Sequence, residues 1–254
     1  MSLPQLNYFK KKYKDTYINF VIHKKIAYCA PLFFNHPYID KIIISGEWSS
    51  FSSNDYNIAS NCDVVTTKLD HKNKKILDVG FGYGNNTLFF CSLNLKVSGV
   101  EINKKICKIA ENNIKRYGFS PNLKVGKNQK LPFKDNEFDY LVSWNVLHYE
   151  GNQTGIEKSI KEYSRVLKKN GRLIISTTGP QHKILKNSKT LGNHQYLLNP
   201  PNDFRKGQTH FFFDFKNYIN LFFSKHFNKI QIGRIQDHLF TDTLDWWLIS
   251  GIKK

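Results

Sequence analysis

The chain has 254 residues, 40% of them hydrophobic, and a formal net charge of +18 at pH 7. This length is enough for one large domain, or for one domain with an N-terminal extension. No apolar run approaches the roughly 18 residues that a membrane-spanning helix needs, and the Lys-rich N-terminus lacks the apolar segment of a signal peptide. The sequence therefore favours a cytoplasmic protein without a membrane span.

The four cysteines lie far apart and form no Cys-x-x-Cys pair: they are Cys29, Cys62, Cys91 and Cys107. This spacing argues against a zinc site and against a disulfide framework. Buried thiols in a reducing compartment are the expected state. No metal site is predicted.

The positive charge is spread along the chain. Residues 1–70 have a net charge of +2, residues 71–180 of +10 and residues 181–254 of +6. A solvated lysine surface is the first explanation, an anionic substrate such as a nucleotide-linked compound is the second, and nucleic acid is the third.

A glycine-rich loop follows the clearest strand pattern. Ile76, Leu77 and Val79 predict a short buried strand, and glycines then come at every second position, at Gly80, Gly82 and Gly84. Glycine lets a backbone turn tightly and approach a ligand closely, because it has no Cβ. A helix is expected to start near Asn85, with free N–H groups for polar ligand atoms. The strand, loop and helix predict the first unit of a nucleotide-binding α/β domain.

Two acidic residues indicate which nucleotide the loop binds. The glycine spacing differs from the dinucleotide fingerprint Gly-x-Gly-x-x-Gly, and Asp78 precedes the first glycine. A carboxylate there would repel a phosphate and favour a cationic amino acid group. Glu101 ends the next predicted strand, and an acid at this place commonly holds ribose hydroxyls.

These residues and four later blocks resemble class I S-adenosylmethionine-dependent methyltransferases, over roughly residues 73–178. The blocks are Asp78–Gly84, Ser98–Glu101, Leu131–Phe133, Asn136–Asp139, Val146–His148 and Arg165–Arg172. The resemblance implies S-adenosyl-L-methionine as the cofactor and a Rossmann-like α/β fold. Its seven-stranded sheet would be mostly parallel with a final antiparallel hairpin. The methyltransferase domain would occupy residues 73–254, after an N-terminal extension or lid at residues 1–72.

The resemblance also implies a cofactor site at the loop and at the ends of the following strands. Its residues are Asp78, Gly80, Phe81, Gly82, Gly84, Asn85, Glu101, Ile102, Asn128, Gln129, Trp144 and Asn145. Many members have an Asp that accepts a hydrogen bond from the adenine amino group, but this chain has Lys127 there, which only donates. Asn128, which has a carbonyl oxygen, is the best substitute, and Gln129 is the second.

The remaining elements are predicted from apolar periodicity and breakers. Helices are expected at residues 103–117 and 155–169 and from about residue 215 through residue 223, and strands at residues 123–125, 138–144, 172–178, 227–234 and 246–253. The polar connection at residues 179–209 is too long for a plain loop, so it is predicted to be a substrate-binding insertion or lid. In the N-terminal region, a basic helix is expected at residues 8–17 and short strands at residues 25–29 and 41–45. The aromatic residues of this region either line the substrate pocket or are ordinary packing residues; they are Trp48, Phe51 and Tyr56.

Three histidines are the candidate general bases: His148, His210 and His194, in falling order. The carboxyl end of the strand at residues 138–144 would bring His148 near the cofactor sulfur. His148 could equally pack or cap the next helix, and His210 could begin a helix. A hydroxyl acceptor must lose a proton, and a histidine base would accept it.

The predicted reaction is methyl transfer to a hydroxyl of a small polar acceptor. A nucleotide-linked sugar for surface polysaccharide is the first choice, because small methyltransferases of bacterial capsule clusters look similar to this chain. Residues 35–40 are also similar to a stretch of heptosyltransferase-type glycosyltransferases, although a turn before a strand is the simpler explanation. The alternatives are an RNA methyltransferase and a non-catalytic cofactor-binding partner protein. The oligomeric state stays open.

Overall fold

The computed structural model describes residues 17–23, 26–32, 41–42, 67–68, 73–93, 95–200, 203–239 and 242–254. In the N-terminal region, β1 (Tyr17–His23) pairs antiparallel with β2 (Ile26–Leu32), and β3 (Lys41–Ile42) pairs antiparallel with β4 (Thr67–Lys68). The strands predicted at residues 25–29 and 41–45 overlap β2 and β3. The predicted helix at residues 8–17, apart from Tyr17, lies outside the described residues, and so do Trp48, Phe51 and Tyr56.

A seven-stranded sheet forms the centre of the domain. Its strands are β5 (Lys75–Val79), β6 (Lys96–Glu101), β7 (Asn122–Val125), β8 (Phe138–Trp144), β9 (Leu167–Thr178), β13 (Phe227–Leu239) and β14 (Asp242–Lys253). The order across the sheet is β13-β14-β9-β8-β5-β6-β7. Neighbouring strands from β7 to β9 run parallel, and β14 runs antiparallel to both β9 and β13. The predicted fold class, including the final antiparallel pair, is confirmed.

In the part of the chain that the structure describes, four α-helices connect these strands. They are α1 (Asn85–Ser92), α2 (Lys104–Lys115), α3 (Gln153–Val166) and α4 (Lys216–Phe223). The Asn103 side chain caps α2 by accepting from two backbone N–H groups, and the Asn152 side chain caps α3 by accepting from one, that of Gly155. Among the described residues, no helix is long and apolar enough to cross a membrane.

The two faces of the sheet bury different apolar clusters. Residues on one face, such as Leu77 and Leu141, pack with α3 and α4 in the larger cluster. Residues on the other face, such as Ile76 and Val142, pack with Phe90 of α1. This division follows from the alternation of side chains along a strand, and burial on both faces explains why apolar residues predominate in the central strands β5 and β8. Cys91 and Cys107 are buried free thiols.

The helix predicted at residues 155–169 ends earlier than expected. The structure ends α3 at Val166 and continues directly into β9, whose first residue, Leu167, pairs with Phe138 of β8. Leu167 is fully buried. The pairing with β8 and the burial of this side chain therefore override the helical pattern of the sequence. Asn170, with φ of 62°, turns the chain within β9.

The long connection after β9 contains a small antiparallel sheet. Its strands are β10 (Lys189–Gly192), β11 (Gln195–Leu197) and β12 (Thr209–Phe211), in the order β10-β11-β12. The segment predicted as an insertion at residues 179–209 thus has its own secondary structure. His210 lies in β12 and not at the start of a helix, because residues 209–211 pair with β11.

Candidate active site

The glycine loop connects β5 to α1 at the carboxyl edge of the sheet. Gly80, Gly82 and Gly84 have φ values of 69°, 53° and 88°, a region that residues with a Cβ rarely adopt. Gly80 donates a backbone hydrogen bond of 2.7 Å to the Val100 carbonyl, which ties the loop to β6. Phe81 is buried among α2 residues and packs against the position of Gly99. The loop therefore has a fixed shape that depends on its glycines.

Glu101 holds this loop through both carboxylate oxygens. Its Oε2 accepts from the Gly82 N–H at 3.1 Å, and its Oε1 accepts from the Asn103 N–H at 3.1 Å. The side chain is buried, whereas its neighbour Ile102 is 66% exposed. A carboxylate oxygen accepts more than one hydrogen bond, so Glu101 has remaining capacity for ligand hydroxyls.

Asp78 is a buried carboxyl beneath the same loop. Its Oδ2 accepts from the Thr87 hydroxyl at 2.7 Å, and only 1% of the residue is exposed. The pKa of Asp78 is raised from 3.8 to about 7, because burial outweighs the lowering by the Thr87 hydrogen bond and the nearby charge of Glu101 adds a smaller rise. A buried carboxyl of this kind gains from a cationic ligand group, because the cation stabilises its ionised form.

The predicted adenine-reading amides both contact Glu150. Asn128 Nδ2 donates to one Glu150 oxygen at 2.8 Å, and Gln129 Nε2 donates to the other at 2.6 Å. Because the amide nitrogens are engaged, each carbonyl oxygen remains as an acceptor. The orientation of Asn128 therefore suits a ligand that donates, such as an amino group.

The two candidate residues at the end of β8, Trp144 and Asn145, lie in different surroundings. Trp144 is buried in the apolar cluster beside α1, so its role in the structure is packing. Asn145 has φ of 56°, and its Oδ1 accepts from the Ser176 hydroxyl at 2.9 Å. Its backbone N–H also donates to Ser176. Asn145 thus lies in a turn held by β9 at the carboxyl edge of the sheet.

His148 and His210 come together from distant parts of the chain. His148 lies on a short 3-10 helix (Leu147–Glu150), and its ring centroid is 5.2 Å from that of His210 on β12. The Tyr149 ring lies 4.5 Å from His210 and 4.6 Å from His148. Both histidines are almost fully buried. We call His148, Tyr149 and His210 the ring cluster.

Burial sets the charge of the ring cluster. It lowers the pKa of His148 well below 6.5, and the neighbouring His210 lowers it further. Burial also lowers the pKa of His210 to about 4, with a further contribution from Arg205. Both imidazoles are therefore neutral at neutral pH, which is the state of a ring that can accept a proton.

His194, the third histidine candidate, lies away from this cluster. Asn193 and His194 form the two-residue turn between β10 and β11, with φ values of 48° and 62°. His194 Nδ1 contacts Asp214 Oδ2 at 2.5 Å, and its ring lies 4.1 Å from the Tyr218 ring. These contacts attach the hairpin to the segment that leads into α4.

The structure adds residues to the site that the sequence did not reveal. Thr87 binds Asp78, Glu150 orients both amides, and Gln208 contacts His210. Arg205 lies near the ring cluster: it pairs with Asp203 at 2.5 Å and hydrogen-bonds to Tyr149. The contacts of Thr87, Glu150 and Tyr149 join segments that only the fold brings together. The Gln208–His210 and Arg205–Asp203 contacts are between residues two positions apart, but the sequence shows no pattern that marks them as part of a site.

Comparison with known proteins agrees with the predicted class of domain. Residues 77–175 match the model of a methyltransferase domain family. An uncharacterized protein of Methanocaldococcus jannaschii is 38% identical over 99 residues, which are 39% of this chain and 42% of that protein. The ubiquinone biosynthesis O-methyltransferase of Pelagibacter ubique is 30% identical over 121 residues, 48% of this chain and 49% of that protein. The chain thus spans about half the length of the curated relatives that it matches.

A solved structure has the same fold. The SAM-dependent methyltransferase from Methanosarcina mazei superposes with a TM-score of 0.61 over 72% of this chain and 94% of that one, at 22% identity. The domain match and the shared fold agree with the cofactor predicted from the sequence, S-adenosyl-L-methionine.

Proposed function

We propose that this protein transfers the methyl group of S-adenosyl-L-methionine to a hydroxyl of a small-molecule acceptor. The observation that supports this proposal most directly is the arrangement of Asp78, Glu101 and the glycine loop at the ends of β5 and β6. In open α/β sheets, ligands bind outside the carboxyl ends of the strands. The matched methyltransferase domain includes all of these residues.

The residues of this edge fit the chemical groups of the cofactor, S-adenosyl-L-methionine. Glu101 would accept from ribose hydroxyls, and Asp78 would stabilise the ammonium of the methionine part. The Asn128 carbonyl oxygen would accept from the adenine amino group, since Glu150 already binds the amide nitrogen. When bound, the cofactor supplies a methyl group on a sulfonium, and the protein supplies position and electrostatics.

The acceptor would bind beyond the end of β8, next to the ring cluster. Two neutral imidazoles lie there, so a hydroxyl acceptor has a proton acceptor within the site. A nucleotide-linked sugar remains the first candidate, because the insertion between β9 and α4 is polar and the chain is strongly basic. Arg205, on the same insertion, adds a positive charge beside the cluster.

An aromatic hydroxyl is the second candidate. The Tyr149 ring packs against His210, and Phe212 stacks at 6.2 Å from both histidines. Such rings suit a planar acceptor. A relative that matches about half of this chain is an O-methyltransferase of ubiquinone biosynthesis, which favours the same class.

The proposal is tested by S-adenosylhomocysteine production with a panel of nucleotide sugars, hydroxylated aromatic compounds and bulk RNA. Turnover on one sugar nucleotide or one phenol supports the proposal and identifies the acceptor class. Turnover on RNA alone contradicts the small-molecule assignment. Tight cofactor binding by calorimetry without turnover on any acceptor favours a non-catalytic partner protein.

A further inference from the structure

The three candidate histidines differ in which ring nitrogen is available. For His148, the Thr178 backbone N–H lies 3.5 Å from Nδ1, and the Thr178 hydroxyl lies 3.4 Å from Nε2. Both nitrogens of His148 therefore have partners within the protein. His194 uses Nδ1 for Asp214, away from the ring cluster.

His210 has a defined tautomer because of Gln208. Its Nε2 lies 3.1 Å from Gln208 Oε1. The Gln208 amide is oriented by a second contact, in which its Nε2 donates to the Phe204 carbonyl at 3.3 Å. An amide oxygen only accepts, so His210 must donate from a protonated Nε2. The neutral imidazole then has an unprotonated Nδ1.

This Nδ1 is the unusual atom of the cluster. It is buried, and it has no hydrogen-bond partner among the residues that the structure describes. Buried polar atoms are normally hydrogen-bonded, so an exception at a candidate site indicates that a ligand provides the partner. His210 itself is 1% exposed.

The groups around His210 keep it neutral. The rings of Tyr149 and His148, on the 3-10 helix, pack against the His210 ring. Tyr196 of β11 lies directly opposite His210 in the pairing of β11 with β12. The charges of Arg205 and Asp203 act in opposite directions on its pKa, and burial and Arg205 prevail, so the pKa falls to about 4. The lone pair on Nδ1 is therefore available over the whole neutral range.

We propose that His210 Nδ1 accepts the proton of the acceptor hydroxyl, and that Gln208 is a positioning residue that fixes the required tautomer. This inference rests on the proposed function. The acceptor oxygen forms a bond to the methyl carbon while the carbon–sulfur bond breaks and its electron pair returns to sulfur. The O–H electron pair stays on oxygen, and the proton moves to Nδ1. The resulting imidazolium then releases this proton to solvent.

The tautomer is tested without any acceptor by long-range 1H–15N NMR of the full chain with bound S-adenosylhomocysteine. The His210 signal is assigned by its loss in His210→Phe. We expect a neutral ring with a protonated Nε2, and a mixture of tautomers in Gln208→Leu. Gln236→Leu is the matched control, because Gln236 donates to Gln181 outside the site. A protonated Nδ1 in the wild-type protein overturns the proposal, and so does an unchanged His210 signal in Gln208→Leu.

The catalytic role is tested on the acceptor that the panel identifies. His210→Phe should lower kcat by about 10²–10⁴-fold, with S-adenosylhomocysteine affinity unchanged by calorimetry. Gln208→Glu should move the rising limb of kcat/KM from near pH 4 to higher pH, because a carboxylate at this position stabilises the imidazolium. A His210→Phe variant with wild-type kcat overturns the assignment. If no acceptor is turned over, the proposed function fails, and the NMR result still decides the tautomer.

Discussion

Glu101 combines two roles in one side chain. Its oxygens accept from Gly82 and Asn103, and its remaining capacity is assigned to the ribose. We predict that Glu101→Ala weakens S-adenosylhomocysteine binding by roughly 1.5–3 kcal/mol, the usual contribution of a charged hydrogen-bond acceptor. Isothermal titration calorimetry measures this loss. Glu111→Ala on the exposed part of α2 is the control, and equal affinities of the two variants would remove the ribose role.

Asp78 makes the stability of the fold depend on pH. The folded pKa of about 7 exceeds the ordinary 3.8, so the folded state binds this proton more tightly than the unfolded state. The protonated Asp78 therefore contributes fully to the free energy of unfolding below pH 4. This contribution, about 4 kcal/mol at most, is lost as the pH rises to 7. We predict that Asp78→Asn gains stability relative to wild type across this window. Urea unfolding of both proteins at pH 4 to 8 measures the difference in their free energies of unfolding. If the two free energies changed with pH in parallel, the prediction would be wrong.

The same carboxyl makes cofactor affinity depend on pH in the opposite direction. A cationic ammonium binds the ionised form, so the wild-type affinity for S-adenosylhomocysteine should rise as pH passes through 7. In Asp78→Asn this rise should be absent, because the amide does not ionise. Calorimetry at pH 6 and pH 8 tests the prediction. An equal rise in both proteins would assign the pH dependence to another group.

At the scale of the element, the glycine loop depends on its contact with the loop after β8. A Cβ on Gly80 would overlap Val146, and the φ of 69° is unfavourable for any residue with a Cβ. We predict that Gly80→Ala lowers the free energy of unfolding by about 2–4 kcal/mol, since strain of about 1–2 kcal/mol adds to the clash. Chemical denaturation measures the loss.

Gly118 provides a matched control for the loop. Its φ is 81°, but no atom lies within 4 Å of the position of a Cβ. Gly118→Ala should therefore cost only the backbone strain of about 1–2 kcal/mol. Val146→Ala should partly restore Gly80→Ala and leave Gly118→Ala unchanged. Equal effects of Val146→Ala on both variants would show that the contact is not the cause.

At the scale of the whole molecule, Asp245 joins the insertion to the edge of the sheet. This fully buried residue of β14 accepts from Arg234 of β13 through both oxygens at 2.8 Å, and from the Gln181 N–H at 2.8 Å. A Cβ at Gly179 would overlap its carboxylate. Three segments therefore meet at one side chain, at the start of the insertion that carries Gln208 and His210.

We predict that Asp245→Asn lowers the free energy of unfolding by about 2–3 kcal/mol, because Arg234 loses a partner in a largely buried pair. Asp242→Asn is the control, since Asp242 pairs with Lys183 at 3.3 Å in a more exposed position, where ion pairs contribute about 0–1 kcal/mol. Thermal and urea unfolding of both variants tests the difference. Equal losses would show that burial does not distinguish the two pairs.

The sequence by itself determined the secondary structure around the glycine loop, from β5 to β8. The apolar runs and the alternating glycines are properties of neighbouring residues, so the bounds of β8, the end of β6 at Glu101 and the approximate start of α2 follow from them. The fold class followed as well, because several blocks occur in the order of a known family. Chemistry that depends on one segment, such as Asp78 before the glycines, was likewise available from the residues.

Only the tertiary structure decided which distant side chains meet. Strand order brings His210 to His148, takes His194 to Asp214, and gives Asn128 the carboxylate of Glu150 as its partner. It also ended α3 at Val166, since pairing with β8 outweighed helix periodicity. The physical reason is the same in each case. Periodicity reports backbone geometry and the buried face, whereas contacts between separate segments depend on how the sheet and its insertion pack.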